Sequence, residues 1–295
     1  MLILILLALD LGVFHKKDHV ISIKSAMYWT LAWVTLALCF NTGIYFWHGK
    51  EKAMEFLAGY AIEKALSVDN IFVFVLIFSY FELPAKYQHK VLFWGIFGTL
   101  LMRAAFIFVG IALLEKFHVM IYVFGAMLLY AGYRMLVHER RKITPGKNPV
   151  IRLFKRILPV TEKMHNGDFF VLINGKKQGT LLLLVLIVVE TTDILFALDS
   201  IPAILAITHD RFIVYTSNVF AVLGLRSLYF ALAGVMHKFK YLTRGLAVIL
   251  IFVGLKMILQ DVYHIPTGMA LLAILLILGT SMAISLNTAK KGKTA

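Results

Sequence analysis

The sequence predicts an all-α polytopic membrane protein of about nine transmembrane helices, with two inverted three-helix repeats at its centre. Three observations predict it. Hydrophobic residues make up 60% of the 295 residues and charged ones only 16%, against about 45–50% and about 25% in a soluble domain. The mean hydropathy is +0.83, and the apolar residues fall in long runs separated by short polar loops. The few charges inside those runs recur at matching places in the two halves of the chain.

A spanning helix needs about 20 mostly apolar residues. Nine runs qualify or come close: 1–14, 27–47, 56–81, 91–114, 119–137, 181–207, 212–236, 244–261 and 266–287. The first is short, since fourteen residues rise about 21 Å against a hydrocarbon core of about 30 Å. It has neither a basic leading segment nor a small-residue cleavage site, so it does not read as a signal peptide. It reads instead as a helix that begins upstream or stops short of the outer face. The runs group into an N-terminal two-helix segment (1–55), a first repeat (56–137), a basic loop (138–180), a second repeat (181–261), and a C-terminal helix with a basic tail (262–295). Pro145, Gly146, Pro149 and Pro159 break regular helix in the loop. The stretch Phe169–Ile173 followed by Asn174-Gly175 predicts a hairpin there. The loop itself reads as a linker between the halves.

The net charge is +14, but its distribution speaks of topology and not of nucleic acid. Placing the N-terminus outside puts 21 Lys and Arg in cytoplasmic segments and 4 in outer loops. This bias orients the chain N-out and C-in. No aromatic–basic RNA-binding motif or zinc-finger spacing accompanies the charge. The single cysteine, Cys39, excludes a disulfide framework and a thiolate metal cluster, and reads as a small apolar filler.

The repeat rests on scarce residues. The segment from Glu63 through Asp69-Asn70-Ile71 lies on the segment from Asp193 through Asp199-Ser200-Ile201 at a constant offset of 130, with two acids six residues apart in each copy. Downstream, Gly98 to Arg103 resembles Leu223 to Arg226, and Arg134 with its neighbours resembles Lys256 with its own. Each copy holds three helices, an odd number, so the two copies enter the membrane from opposite sides. That is the plan of many secondary transporters, whose binding sites lie near the midplane.

Of sixteen acidic residues, six fall inside the runs: Asp10, Glu63, Asp69, Glu190, Asp193 and Asp199. Each costs about 2.5–3.5 kcal/mol at the bilayer centre, so protonation, arginine partners, a bound cation or a water-filled cavity must neutralise them. Arg103 and Arg226, one span downstream of each acidic helix, are the candidate supporting charges. Glu63, Ser67 and Asn70 share one helix face, as do Asp193 and Ser200 with Glu190 nearby. Asp69 and Asp199 sit about 100° away from those faces. A break in the helix would gather them, and Pro202 predicts one by leaving the Leu198 carbonyl without its donor. The first repeat has Phe72 at that place and no proline. The donors are hard oxygens, which suit Mg2+, Ca2+ or Mn2+. No nucleotide-binding loop is present to power transport.

These stretches resemble the TerC family of membrane proteins, and within it the Alx-type branch, over nearly the whole chain. The resemblance is carried by Gly59-Tyr60, Glu63-Lys64 and Ser67-Val68-Asp69-Asn70 in the first repeat. In the second it is carried by Val189-Glu190, Asp193 and Leu198-Asp199-Ser200-Ile201-Pro202-Ala203, with Thr216-Ser217-Asn218 and Leu223-Gly224-Leu225-Arg226. It implies export of Mn2+ across a bacterial inner membrane, with the family's acidic motif falling on Glu63, Asp69, Asn70, Asp193, Asp199 and Ser200. The expected inner shell is Asp69, Asn70, Asp199 and Ser200, with Glu63, Asp193 and Glu190 around it and Asp10 outside the set. Mn2+ is then the cargo, no resident cofactor or enzymatic activity is expected, and protons are the expected exchange partner. The alternatives are export of another divalent cation such as Ca2+, or an accessory role in metallating or assembling exported proteins through the 138–180 loop. An intramembrane aspartyl enzyme fits less well, because the Gly-x-Gly-Asp signature is missing.

Overall fold

Turns and charge decide where each helix stops. The structure, a computed structural model, describes residues 23–137, 159–161, 167–173, 176–233, 241–263 and 265–291. The first described helix, α1, runs Ile23–Tyr80, 58 residues long, and bends at Gly49. Its two arms, 23–48 and 50–80, are about 39 and about 46 Å long at about 1.5 Å per residue, each longer than a hydrocarbon core of about 30 Å. Gly49 has φ 87° and ψ 175°, and a side chain there would meet nothing within 4 Å. The torsion alone therefore requires glycine. A tight turn follows α1, in which the Leu83 N–H donates to the Phe78 carbonyl at 2.8 Å. Pro84 then sets the start of α2, Ala85–Lys116, and α3 is Met120–Val137.

A two-stranded hairpin precedes the second half. β1, Phe170–Ile173, pairs antiparallel with β2, Lys176–Gly179, in the register Ile173↔Lys176. Lys90 anchors it to α2 by donating to the Gly167 carbonyl at 2.6 Å. Next come α4, Leu181–Leu205, and α5, Arg211–Val222, whose first turn is capped by Asp210 accepting from the Phe212 and Ile213 amides at 3.0 and 3.3 Å. A break at Leu223–Gly224 separates α5 from α6, Leu225–Leu232. Gly224 has φ 76° and lies so near Trp33 that an added Cβ would sit 2.5 Å from the indole. The chain continues through α7, Leu242–Leu259, and α8, Thr267–Lys291.

The packing pairs the halves. The α1 arm after Gly49 lies on α4, α5 and α6, α2 lies on α4, and α3 lies along α7. The last contact is the most extensive, and Gly125, Gly132 and Gly254 bring backbone against backbone in it. One apolar cluster gathers Phe56, Phe74, Phe78, Phe220 and Tyr229. The other gathers Ile107, Leu128, Ile249, Leu250 and Met257. Large apolar side chains such as Trp94, Leu101, Phe108, Leu272 and Leu276 remain exposed, which is the surface a lipid-facing helix requires.

Six described helices are long and apolar enough to cross a membrane, counting Arg211–Leu232 as one broken helix. The protein is an all-α polytopic membrane protein, and the expected count of nine is not what these helices give. Run 1–14, with Asp10, lies outside the described residues. Runs 27–47 and 56–81 are the two arms of α1, joined through residues read as an outer loop. The break expected at Pro202 is absent, and α4 is continuous to Leu205. Pro202 stands in its last turn, where one missing hydrogen bond is easily accommodated. The interruption falls in the next helix, at Gly224, where the Lys64 ammonium donates to the Ala221 and Leu223 carbonyls at 3.1 and 3.4 Å.

Candidate cation site

Four side chains from four helices meet in the interior of the helix bundle. Glu63 of α1, Arg103 of α2, Asp193 of α4 and Asn218 of α5 are each 1–2% exposed. Arg103 Nη1 donates to Glu63 Oε1, and Arg103 Nε lies 3.7 Å from Asp193 Oδ2. Asn218 Nδ2 donates to Glu63 Oε2 at 3.1 Å. One arginine thus bridges carboxylates from the two halves. The spacing of the sequence explains why these acids are inside: Glu63, Ser67 and Asn70 are all buried, as are Asp193 and Ser200, while the angularly displaced Asp69 and Asp199 are half-buried.

The surroundings are rich in oxygen that lacks a donor. Ser67 Oγ, Asp193 Oδ1, Ser200 Oγ and Asn218 Oδ1 are buried and make no hydrogen bond among the described residues. An unpaired buried polar group costs about 1–3 kcal/mol, and all four are hard donors of the kind that bind Mg2+, Ca2+ or Mn2+. Glu190 approaches from the side, with its carboxylate packed over Gly98, where a Cβ would lie 2.1 Å from its Oε1. Asp69 accepts from Thr243 of α7 at 3.4 Å. Arg226 is buried at the start of α6. Among the described residues, no three His, Cys, Asp or Glu side chains stand close enough to hold a metal ion. In this arrangement Arg103 occupies the place between the acids.

A second polar region lies at the other end of the α1 ridge, two turns before Glu63. Glu55 is buried and accepts from Lys52 at 2.8 Å and from Thr208 at 2.6 Å. Lys52 also pairs with Asp210 at 3.4 Å. Lys256 donates to the Ala206 carbonyl at 2.8 Å. With His209 and Gln260 these residues line a cavity of about 490 Å³. Partial desolvation holds the His209 imidazole below its ordinary pKa although the residue as a whole is exposed, and a hydrogen bond to the Leu205 backbone partly offsets it. Nearby, hydrogen bonds from Tyr122 and His118 hold the exposed Asp261 carboxyl below the usual carboxylate range.

Glu55, Lys64, Asn218 and Thr208 are the contributors that sequence reasoning did not place in the site. Glu55 fell just outside the run 56–81, yet it precedes Glu63 by eight residues on the same ridge, a signal open to a helix reading that extends past the loop. Asn218 belonged to a recognised stretch, but its distance of 155 residues from Glu63 left no local cue to the contact.

Fold and site together define a polytopic helical membrane protein with an ion-paired acidic centre shared between its two halves. The chain belongs to the TerC family of integral membrane proteins, whose family model matches residues 48–293. It is 48% identical over 293 residues to the uncharacterized membrane protein STKORF319 of Myxococcus xanthus, covering 99% of this chain and 92% of the relative. It is 45% identical over 277 residues to a protein of Escherichia coli K12 named "putative membrane-bound redox modulator Alx", covering 90% and 86%. An uncharacterized membrane protein of Rickettsia bellii is 41% identical over 270 residues, covering 92% and 89%. No solved structure matches the chain.

Proposed function

We propose that this protein is a bacterial inner-membrane transporter, and not an enzyme, that exports a divalent metal ion, Mn2+, from the cytoplasm by alternating access in exchange for protons. One observation carries the reading: carboxylates from two helices, Glu63 and Asp193, are fully buried, and Asp193 Oδ1 together with the Ser67, Ser200 and Asn218 oxygens of the same packed helices lacks a donor among the described residues. A soluble or purely structural helix bundle gains nothing from such a set, and intramembrane ionisable residues mark ion pathways by default. Glu63 and Asp193 form the centre of the proposed site, with Ser67, Ser200 and Asn218 as neutral donors. Asp69, Asn70 and Asp199 extend it along the same two helices, and Glu190 is the spare carboxylate for the proton. Ca2+ is the alternative cargo, since the donors are equally hard.

The packing supports an inverted repeat. The first helix of each half lies on the second helix of the other, and the third helices lie on each other, as a two-fold axis in the membrane plane would arrange them. Both arms of α1 cross the membrane in this reading. The N-terminus faces out and the C-terminus in, following the excess of Lys and Arg in 138–180 and at 290–293.

The name of the enteric relatives suggests a redox role. Within these 295 residues Cys39, exposed on α1, is the single thiol, so one chain offers no dithiol couple. Inverted vesicles containing the protein should accumulate radiolabelled Mn2+, and Glu63→Gln or Asp193→Asn should abolish uptake while Cys39→Ser keeps it. Wild-type flux in well-folded Glu63→Gln and Asp193→Asn proteins would overturn the assignment.

A further inference from the structure

We infer that Arg103 is a tethered counter-cation, which occupies the carboxylate pair whenever the cargo is away and so allows the cargo-free carrier to return with the exchanged proton. The inference rests on the transport reading above. Its observation is separate: the guanidinium is 2% exposed, comes from a third helix, and contacts one acid of each half.

Cargo and guanidinium need the same oxygens. A divalent ion binding Glu63 and Asp193 must take the oxygens that Arg103 now faces, so the two occupants exclude each other. The contacts are also unequal. Arg103 makes a direct charge-assisted hydrogen bond to Glu63, whereas Asp193 lies 3.7 Å from Nε and keeps Oδ1 without a donor. An ion therefore meets Asp193 as the accessible half of the pair and displaces Arg103 from Glu63 afterwards.

Arginine suits this role for a chemical reason. It keeps its charge at any pH a protein meets, so it offsets one of the two emptied carboxylate charges, and the exchanged proton offsets the other. An emptied pair with no cation would carry bare carboxylates through the low-dielectric centre during the return, which is the costly step. Arg103 then does two opposing things. It lowers apparent affinity for the cargo by competing for the site, and it permits the empty state to turn over.

Those effects separate in two assays on the full chain in proteoliposomes. Mn2+/Mn2+ exchange, with the ion on both sides, never needs the empty carrier to return; net efflux into Mn2+-free medium always does. If Arg103 holds the pair nine times in ten, its removal raises apparent affinity about tenfold. Arg103→Gln should therefore exchange Mn2+ with a half-saturating concentration about tenfold lower, while net efflux falls by at least about tenfold. Arg103→Lys keeps a cation but loses the planar fork, so it should retain net efflux with an intermediate half-saturation, and it carries the test where the Gln variant does not fold. Loss of exchange and net efflux in equal measure in a folded Gln variant, or a Lys variant with wild-type half-saturation, overturns the inference. Wild-type protein that moves Mn2+ in neither assay overturns the transport reading instead.

Discussion

Replacing Gly132 with alanine tests the packing that holds the two halves together. A Cβ at Gly132 would lie 2.7 Å from both the Ala247 carbonyl oxygen and Ile251 Cγ1, and 3.1 Å from the Ile251 nitrogen. Ordinary contact begins near 3.4 Å, so α3 and α7 must separate by about 0.7 Å at this level. Two of the opposing atoms are backbone and cannot rotate away. Overpacking of this kind costs about 1–3 kcal/mol, and alanine returns about 1 kcal/mol through helix propensity. The expected net loss is about 0–2 kcal/mol, which is about 1–3 kcal/mol below a glycine-to-alanine change that meets no neighbour. Gly43→Ala and Gly279→Ala are the controls, because a Cβ at either place meets nothing within 4 Å. They should be neutral or stabilising by up to about 1 kcal/mol. Equilibrium unfolding in mixed micelles reads all three. Gly132→Ala as stable as Gly43→Ala would refute the claim that backbone contact sets the α3–α7 distance.

Asn218→Leu removes the donor to one Glu63 oxygen and should destabilise by about 1.5–3 kcal/mol, the range for hydrogen bonds to charged groups, in the same unfolding assay. Gly98→Ala drives a methyl into the Glu190 carboxylate, the far end of a flexible side chain. Stability should stay within about 0.5 kcal/mol of wild type while vesicle transport falls, and unchanged transport would remove Glu190 from the pathway. His209 titrates below its ordinary value because the cavity wall partly desolvates its imidazole. The unfolded chain then binds more protons, so stability should decline as pH drops below about 6.5. A His209→Gln protein should show a flatter pH profile of unfolding.

Much of the site was legible because burial follows helix geometry. Glu63, Ser67 and Asn70 share a face and are buried together, and the same holds for Asp193 and Ser200. The hairpin at 170–179 was legible from its turn residues. What escaped depends on distant parts of the chain. Gly49 is the whole connection between the two arms of α1, and the second arm begins at once through the charged residues Lys50, Glu51 and Lys52. Glu55 is buried because the connection between α4 and α5 folds over it and supplies Thr208. Pro202 is a strong local signal in a place where it has little effect, whereas the real interruption needs Trp33 against Gly224 and Lys64 from another helix. The expected inner shell of Asp69 and Asp199 followed from matching positions in the repeat. The contact of Arg103 with both Glu63 and Asp193 has no such cue, since it joins residues of three helices.

The adjacent pair Glu63-Lys64 fastens α1 to α5 at two heights: the carboxylate accepts from Asn218, and the ammonium closes the carbonyl end of α5. That end carries the negative pole of the helix, so a cation there is well placed whether or not Glu63 has company. Two neighbouring residues of opposite sign thus act as a weld between a helix of each half. A body made of α1 and α5 has its seam where Arg103 and Asp193 arrive from α2 and α4. Any motion that opens the acid pair has a ready parting line there, with the weld travelling on one side of it.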